Sequence, residues 1–329
     1  MSRSVIILKP RLDIPFKKGP EPRERGPIQP IRRYWEDFVN SVKFHHRCEG
    51  DDVVVKEMPL WRMNPHDVRS WDADLTYIPH HDKDTFDPTG HLEQSGMPTF
   101  RKLDVLYYMQ MAYPWLFQTD PKGWCARSSE WPLQPNHELE KLYWFDQYKT
   151  RQMKGFSKFP QPPRRNGFGD GYIFFPCQIP HDQSIKLDSD VEVLQALTTT
   201  ALWCKENNIG LIVKGHPVNP TSMIELKGAF SQLEWGQWED DVNINDLIEG
   251  AAAVVSVNSG VGMDTILHEK PVFIFGRADY QAVAHSVSDS NSLDEAWANR
   301  DQYIKDYRAF INTYVDSMWS VRALNNLHE

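Results

Sequence analysis

From residue 171 to residue 276 the chain alternates short apolar runs with helical stretches, and this regularity constrains the fold more than any other feature. Residues 172–177, 210–214, 252–257 and 271–275 are compact, apolar and β-branched or aromatic, as strands buried on both faces must be. Residues 189–206, 221–230, 244–250 and 260–268 carry helical spacing between them, with Asn245 as a candidate N-cap. Strands that alternate with helices predict a parallel, doubly wound α/β sheet.

The first half is less regular. Residues 4–8, 52–55 and 75–78 read as strands, and 31–44 as a helix with Tyr34, Phe38 and Val42 on one face. The proline- and charge-rich run 10–30 reads as a long loop. The aromatic run 103–117 fits neither period, and 137–153 reads as a helix. Pro160, Pro162, Pro163, Gly167, Gly169 and Gly171 form the clearest linker, which puts a domain boundary at 165/166. The expected domains are therefore 1–165 and 166–295. A helical segment, 296–329, is expected to cross back onto the first domain through Tyr303, Tyr307, Phe310, Tyr314 and Trp319.

At 329 residues the chain exceeds what one core usually serves, in keeping with two domains. A net charge of −9 argues against a general nucleic-acid surface. Cys48, Cys125, Cys177 and Cys204 make no CxxC pair and fit no zinc spacing, so free thiols in a reducing compartment are expected, with no metal site. The apolar run near the N-terminus ends at Lys9-Pro10, too short for a signal peptide or a membrane span. A cytoplasmic protein without an integral membrane segment is expected, with peripheral membrane contact compatible.

In an open parallel sheet, ligands bind beyond the carboxyl ends of the strands. Three such segments here are unusually polar. Gln178-Ile179-Pro180-His181-Asp182 follows the first strand, and its aspartate is either a nucleophile or base facing the crevice, or a helix cap. Lys214-Gly215-His216-Pro217 offers a charge, a close backbone approach and an imidazole that can hydrogen-bond or protonate a phosphate near neutral pH. Asn258-Ser259-Gly260-Val261-Gly262 opens a helix whose N–H groups favour an anion, or else is a plain capped start. Asp264 could reach ribose hydroxyls or complement the helix dipole. The segment is neither GxGxxG nor a P-loop, which disfavours NAD and P-loop ATP sites.

Phe175-Pro176-Cys177-Gln178 with Asp182, Val213-Lys214-Gly215-His216-Pro217, Asn258-Ser259-Gly260-Val261-Gly262, and Lys270-Pro271-Val272 with Gly276 together resemble the bacterial capsule-polysaccharide Kdo transferases. The resemblance covers roughly residues 171–280. Residues 107–124, with Asp120-Pro121-Lys122-Gly123-Trp124, are similar more loosely. It implies a GT-B-like α/β fold: two Rossmann-like domains, a parallel sheet in each and the site in the cleft between them. It implies transfer of Kdo or a related acidic sugar from a CMP-sugar to a glycan or glycolipid acceptor, with no further cofactor. On the residues matched, Asp182 in Gln-x-x-x-Asp takes the role of nucleophile of a retaining reaction. His216 assists the departing CMP phosphate. Gln178, Lys214, Asn258, Ser259, Gly260 and Asp264 are the remaining donor-site candidates. Gly215 and Asp264 depart from the family, which often has a bulkier residue and Glu there.

These residue types suit the chemistry. A ketose leaves through an oxocarbenium-like transition state that a carboxylate stabilises or traps. Donors at Lys214, His216 and Ser259 stabilise the departing phosphate. The Asp51-Asp52 and Asp240-Asp241 pairs are expected to be solvated turns. His80, His81, Asp120 and Glu130 are acceptor-side candidates. Rival readings are a transferase of another nucleotide sugar and a non-catalytic nucleotide- or sugar-binding protein on the same scaffold.

Overall fold

The computed structural model describes residues 2–10, 28–58, 68, 73–89, 104–165, 168–217 and 220–321. The expected loop at 10–30 therefore lies largely outside the described residues. The chain divides into two compact units, Met1–Trp131 with Ser317–Glu329, and Pro132–Asp316.

The first unit is built on β1 (Ser4–Pro10), β2 (Asp52–Met58), β3 (Leu75–Pro79), β4 (Asp104–Gln110), β5 (Leu116–Asp120) and β12 (Trp319–Ser320). The sheet order is β12-β5-β4-β3-β1-β2. β2, β1, β3 and β4 are parallel, whereas β5 and β12 are antiparallel additions at one edge. The 2-1-3-4 order of the parallel part is the second common doubly wound arrangement. The helix Ile28–Cys48 packs Trp35, Phe38, Val39 and Val42, one stripe at helical spacing, against this sheet. Its last turn carries His45, His46 and Arg47, favourable at the negative end of the helix dipole.

The aromatic run 103–117 resolves into strand β4, a tight turn and the start of β5, with Tyr107, Tyr108, Trp115 and Phe117 buried. Asp51 is not a solvated turn. Its carboxylate takes Arg3 and His46, each at 2.9 Å, and these hydrogen bonds hold it well below the usual carboxylate range.

The second unit contains β6 (Tyr172–Pro176), β7 (Leu211–Lys214), β8 (Gln237–Trp238), β9 (Ala251–Ser256), β10 (Val272–Ile274) and β11 (His285–Ser286). Its order is β11-β10-β9-β6-β7-β8, and every pairing is parallel. Numbered from β6, that is the 3-2-1-4-5-6 order of a dinucleotide-binding sheet, with its switch point between β6 and β9. Ile173, Phe175, Val213, Val255 and Phe273 fill one face of the sheet and are almost completely buried. The helix Ile244–Gly250 is capped by Asn243, whose side chain accepts from the Asn245 amide at 2.9 Å, so the cap lies two residues before the one expected.

The unit boundary falls after Trp131 and not at 165/166. The Pro/Gly-rich run is pinned to the second unit by hydrogen bonds. Asn245 Nδ2 donates to the Phe156 carbonyl at 3.3 Å, and Asn243 Nδ2 to that of Pro162 at 2.7 Å. The Ile244 amide donates to Gln161 Oε1 at 3.1 Å, and Arg164 pairs with Asp246 and Glu249. The expected C-terminal helix is also divided. Helix Tyr307–Asp316 belongs to the second unit, where Asn312 Oδ1 accepts from the Phe145 amide at 2.9 Å and Arg308 forks onto Asp146 at 2.7 and 2.8 Å. Trp319–Ser320 instead extends the first unit's sheet as β12. No helix among the described residues is long and apolar enough to cross a membrane.

Candidate active site

The switch point of the second sheet brings together the two loops that sequence reasoning singled out there. Gln178, after β6, and Asn258, after β9, form a reciprocal amide pair: Gln178 Nε2 donates to Asn258 Oδ1 at 2.9 Å, and the Asn258 amide donates to Gln178 Oε1 at 3.0 Å. Asn258 Nδ2 also donates to the Ser184 carbonyl at 2.9 Å. Both side chains thus hold the loops together, and Asn258 also ties in helix Gln183–Asp188.

That helix start holds Asp182. The residue is its N-cap, with Oδ1 accepting from the Ser184 amide and hydroxyl, each at 2.9 Å. The capping role is therefore present. Oδ2 carries no protein hydrogen bond among the described residues, and the side chain is exposed at the mouth. One oxygen is engaged by the cap and orients the carboxylate. His216, after β7, lies within the electrostatic reach of the Asp182 carboxylate.

His216 is shifted in the direction opposite to that needed by a proton donor. Burial pushes its imidazole down to about 4, with Asp182 acting upward and Lys158 downward. It is neutral at pH 7 without ligand, so it offers a hydrogen bond rather than a charge. The Phe159 ring stands edge-on to it, with centroids 5.4 Å apart. Lys214 is buried, which lowers its pKa, and its Nζ donates to the Asp240 carbonyl at 2.5 Å. It ties β7 to the β8 loop.

Asp240 lies in an exposed bend, as expected of a solvated turn, and its side chain also organises this region. Its Oδ1 accepts from the Gly215 amide at 3.1 Å and from Trp238 Nε1 at 2.8 Å, and its Oδ2 faces Lys227 Nζ at 3.4 Å. A cavity of about 390 Å³ opens here, between Gln161, His216, Met223, Lys227, Trp238 and Asp240. It combines an aromatic wall with a few polar groups, as a nucleoside-sized site does.

At the start of helix Val261–Leu267, Gly260 is the N-cap and Ser259 Oγ accepts from the Val261 amide at 3.3 Å. Ser259 is buried, and its carbonyl accepts from the Tyr280 hydroxyl at 2.5 Å. Asp264 faces Gln152 of helix Trp144–Met153, away from the ribose role expected. Burial raises its carboxyl to about 7, against the Gln152 hydrogen bond and Lys158. Asp279, beyond β10, is raised too, by burial acting against its hydrogen bond from Tyr314 at 2.9 Å.

The Asp264 shift has a consequence for stability. A carboxyl raised on folding stabilises fully below its unfolded pKa, near 4, and loses that contribution as pH rises through about 7. Asp264→Asn keeps the group's shape without the charge. The melting temperature of this variant relative to wild type is expected to climb between pH 4 and pH 8. Parallel pH profiles for the two proteins would show that Asp264 ionises freely.

Lys158, Asp279, Trp238 and Asp240 were not anticipated. Asp279 alone carried a usable signal, because it follows a strand's carboxyl end as Asp182 does. In the first unit, Asp120 is structural, accepting from the Lys122, Gly123 and Ser129 amides at 2.7, 3.1 and 2.9 Å. His80 holds a positive φ of 58° directly after β3 and stacks on Trp35 at 4.8 Å, and His81 leans on Phe86. Asp82 caps the helix Lys83–Phe86 and pairs with Arg127. Glu130 is exposed. No group of three or more His, Cys, Asp or Glu among the described residues is placed to hold a metal ion.

A 3-2-1-4-5-6 parallel sheet with polar loops at its carboxyl ends defines a doubly wound, Rossmann-like α/β unit. Residues 145–320 match the family described as capsule polysaccharide biosynthesis protein, and the chain belongs to that family. Over 207 residues it is 23% identical to the Escherichia coli capsule polysaccharide export protein KpsS, covering 59% of this chain. It spans about half the length of that relative, 51%. Two solved structures of Thermosulfurimonas dismutans KpsC align over nearly the whole chain. The β-Kdo 2,7 transferase has a TM-score of 0.52 at 14% identity, covering 97% of this chain and 96% of that one. The β-Kdo 2,4 transferase gives 0.52 at 15%, covering 94% and 90%. The fold is that of GT-B glycosyltransferases: mixed α/β, with two parallel-rich sheets.

Proposed function

We propose that the protein is a retaining glycosyltransferase that moves Kdo, or a related acidic sugar, from a CMP-sugar to a glycan or glycolipid acceptor during capsule assembly. On this reading it works in the cytoplasm. The observation that carries it is the placement of Asp182 and His216 in the loops beyond the carboxyl ends of β6 and β7, with one Asp182 oxygen outside the cap's hydrogen bonds. The family membership and the fold shared with the two KpsC β-Kdo transferases support it.

In the proposed reaction Asp182 Oδ2 attacks the anomeric carbon as the bond to the CMP phosphate breaks, and the electron pair leaves with CMP. The neutral His216 donates a hydrogen bond to the phosphate oxygen on which charge develops. The nucleoside occupies the cavity beside Trp238. The acceptor oxygen then bonds to the anomeric carbon as its bond to Asp182 breaks, which restores the carboxylate, and the hydroxyl proton passes to water.

The donor half of this reading is tested by thermal shift with CMP, UDP, GDP and ADP. CMP is expected to stabilise most, by about 2.7 kcal/mol at 100 times its dissociation constant. His216→Ala should stay folded and bind CMP more weakly by about 1–3 kcal/mol. A clear preference for UDP or a purine nucleotide would overturn the CMP-sugar assignment. Unchanged CMP binding by His216→Ala would make that residue a structural turn.

A further inference from the structure

The cavity beyond the carboxyl ends of β7 and β8 is lined by Trp238 and, from helix Pro220–Ser231, by Met223 and Lys227, which lie one helical turn apart. Asp240 lines it from the bend after β8. The two oxygens of this carboxylate have different surroundings. Oδ1 is fixed by two donors, the Gly215 amide at 3.1 Å and Trp238 Nε1 at 2.8 Å. Oδ2 faces Lys227 Nζ at 3.4 Å, and both side chains are about half exposed. Gly215 is what lets the carboxylate in, because a Cβ there would stand 2.9 Å from Oδ1 and 3.2 Å from the Trp238 ring. The Asp240 carbonyl is held as well, by Lys214 Nζ. Lys227 Nζ lies 5.6 Å from the centre of the Trp238 ring. An acceptor oxygen and an ammonium donor therefore stand side by side along one aromatic wall.

We propose that Asp240 and Lys227 read the amino-bearing edge of the donor's cytosine and so exclude uracil from the cavity. The proposal rests on the CMP-sugar reading above. A pyrimidine lying along Trp238 turns its edge toward the groups beside that ring. Cytosine offers an amino donor at C4 next to an acceptor at N3. Asp240 Oδ2 accepts from the first, and Lys227 donates to the second. Uracil carries the reverse pattern, a carbonyl at C4 and an N–H at N3. The carboxylate would then meet a carbonyl oxygen, and the ammonium an N–H. Rotating the carboxylate does not relieve the mismatch, because Oδ1 is held by the Gly215 amide and Trp238. A site built to hydrogen-bond one pattern rejects an analogue that cannot supply it. Both groups are half exposed, so water softens the mismatch and the expected discrimination is about tenfold.

Calorimetric titration of the intact protein with CMP and with UMP tests the assignment, using Asp240→Asn and Lys227→Met. Wild type is expected to bind CMP about tenfold more tightly than UMP. Asp240→Asn should bring the two within about threefold, with CMP weakened and UMP strengthened, because the new amide donates to the uracil carbonyl. Its melting temperature should stay near that of wild type, since the asparagine oxygen still accepts from Gly215 and Trp238. Lys227→Met should weaken CMP more than UMP and narrow the ratio about threefold. If Asp240→Asn melts early, Lys227→Met, at a half-exposed position, carries the same comparison. A folded Asp240→Asn protein that keeps the wild-type ratio overturns the proposal and leaves the donor reading intact, as does a wild type that binds CMP and UMP equally. Wild type that binds neither nucleotide overturns the donor reading, and this proposal with it.

Discussion

Asp182→Asn is expected to lower sugar transfer from CMP-Kdo by orders of magnitude while leaving the melting temperature and CMP affinity nearly unchanged. The two roles of the side chain separate cleanly. As a cap, Oδ1 accepts from Ser184, and asparagine caps a helix about as well as aspartate. As a nucleophile, the free oxygen must be a carboxylate, because an amide does not form the glycosyl ester. Mass spectrometry of wild type given donor without acceptor should show a glycosyl adduct on this residue. Near-normal transfer by Asp182→Asn would refute the role. A variant that simply unfolds would mean that the cap is the residue's whole function.

Gly262→Ala is expected to be the most damaging small substitution in the second unit. A Cβ there would sit 2.2 Å from Cζ of Tyr280, whose ring is fully buried. The ring cannot retreat without breaking its hydroxyl's hydrogen bond to the Ser259 carbonyl. Overpacking and the lost bond together should cost about 3 kcal/mol, read by chemical denaturation. Because Tyr280 anchors the loop that holds Asn258 and Ser259, CMP binding should weaken as well. Tyr280→Phe in the Gly262→Ala background should recover only part, since it removes the hydroxyl at 2.4 Å but leaves Cζ at 2.2 Å and Cε2 at 2.5 Å. Stability within about 0.5 kcal/mol of wild type, the range of an ordinary surface change, would contradict this packing.

The second sheet was legible because its strands are buried on both faces and therefore read as apolar runs, while the loops at their carboxyl ends read as polar. That contrast, together with the family resemblance, singled out Gln178, Asp182, His216, Asn258 and Ser259 as candidates. Their division of labour was not legible. That Gln178 and Asn258 pair with each other, and that Lys214 turns to the Asp240 carbonyl, depends on loops distant in sequence meeting at the switch point. The 156–165 run was misleading for a physical reason. Proline and glycine mark irregular backbone, but irregular backbone is equally well fixed by side-chain donors such as Asn243 and Asn245. The aromatic run 103–117 defeated periodicity because both faces of β4 and β5 are largely covered, which removes the alternation that marks a half-buried strand.

The central claim is that this chain breaks a CMP-sugar bond at Asp182 and His216. It is tested most directly by incubating the purified protein with CMP-Kdo, and separately with a UDP-hexose, and measuring free nucleotide released with and without a capsule-type glycolipid acceptor. The account predicts CMP release that acceptor accelerates, that forms a Kdo-extended product, and that Asp182→Asn abolishes. Release from the UDP-sugar alone, or tight CMP binding with no turnover of CMP-Kdo in the presence of acceptor, would contradict it.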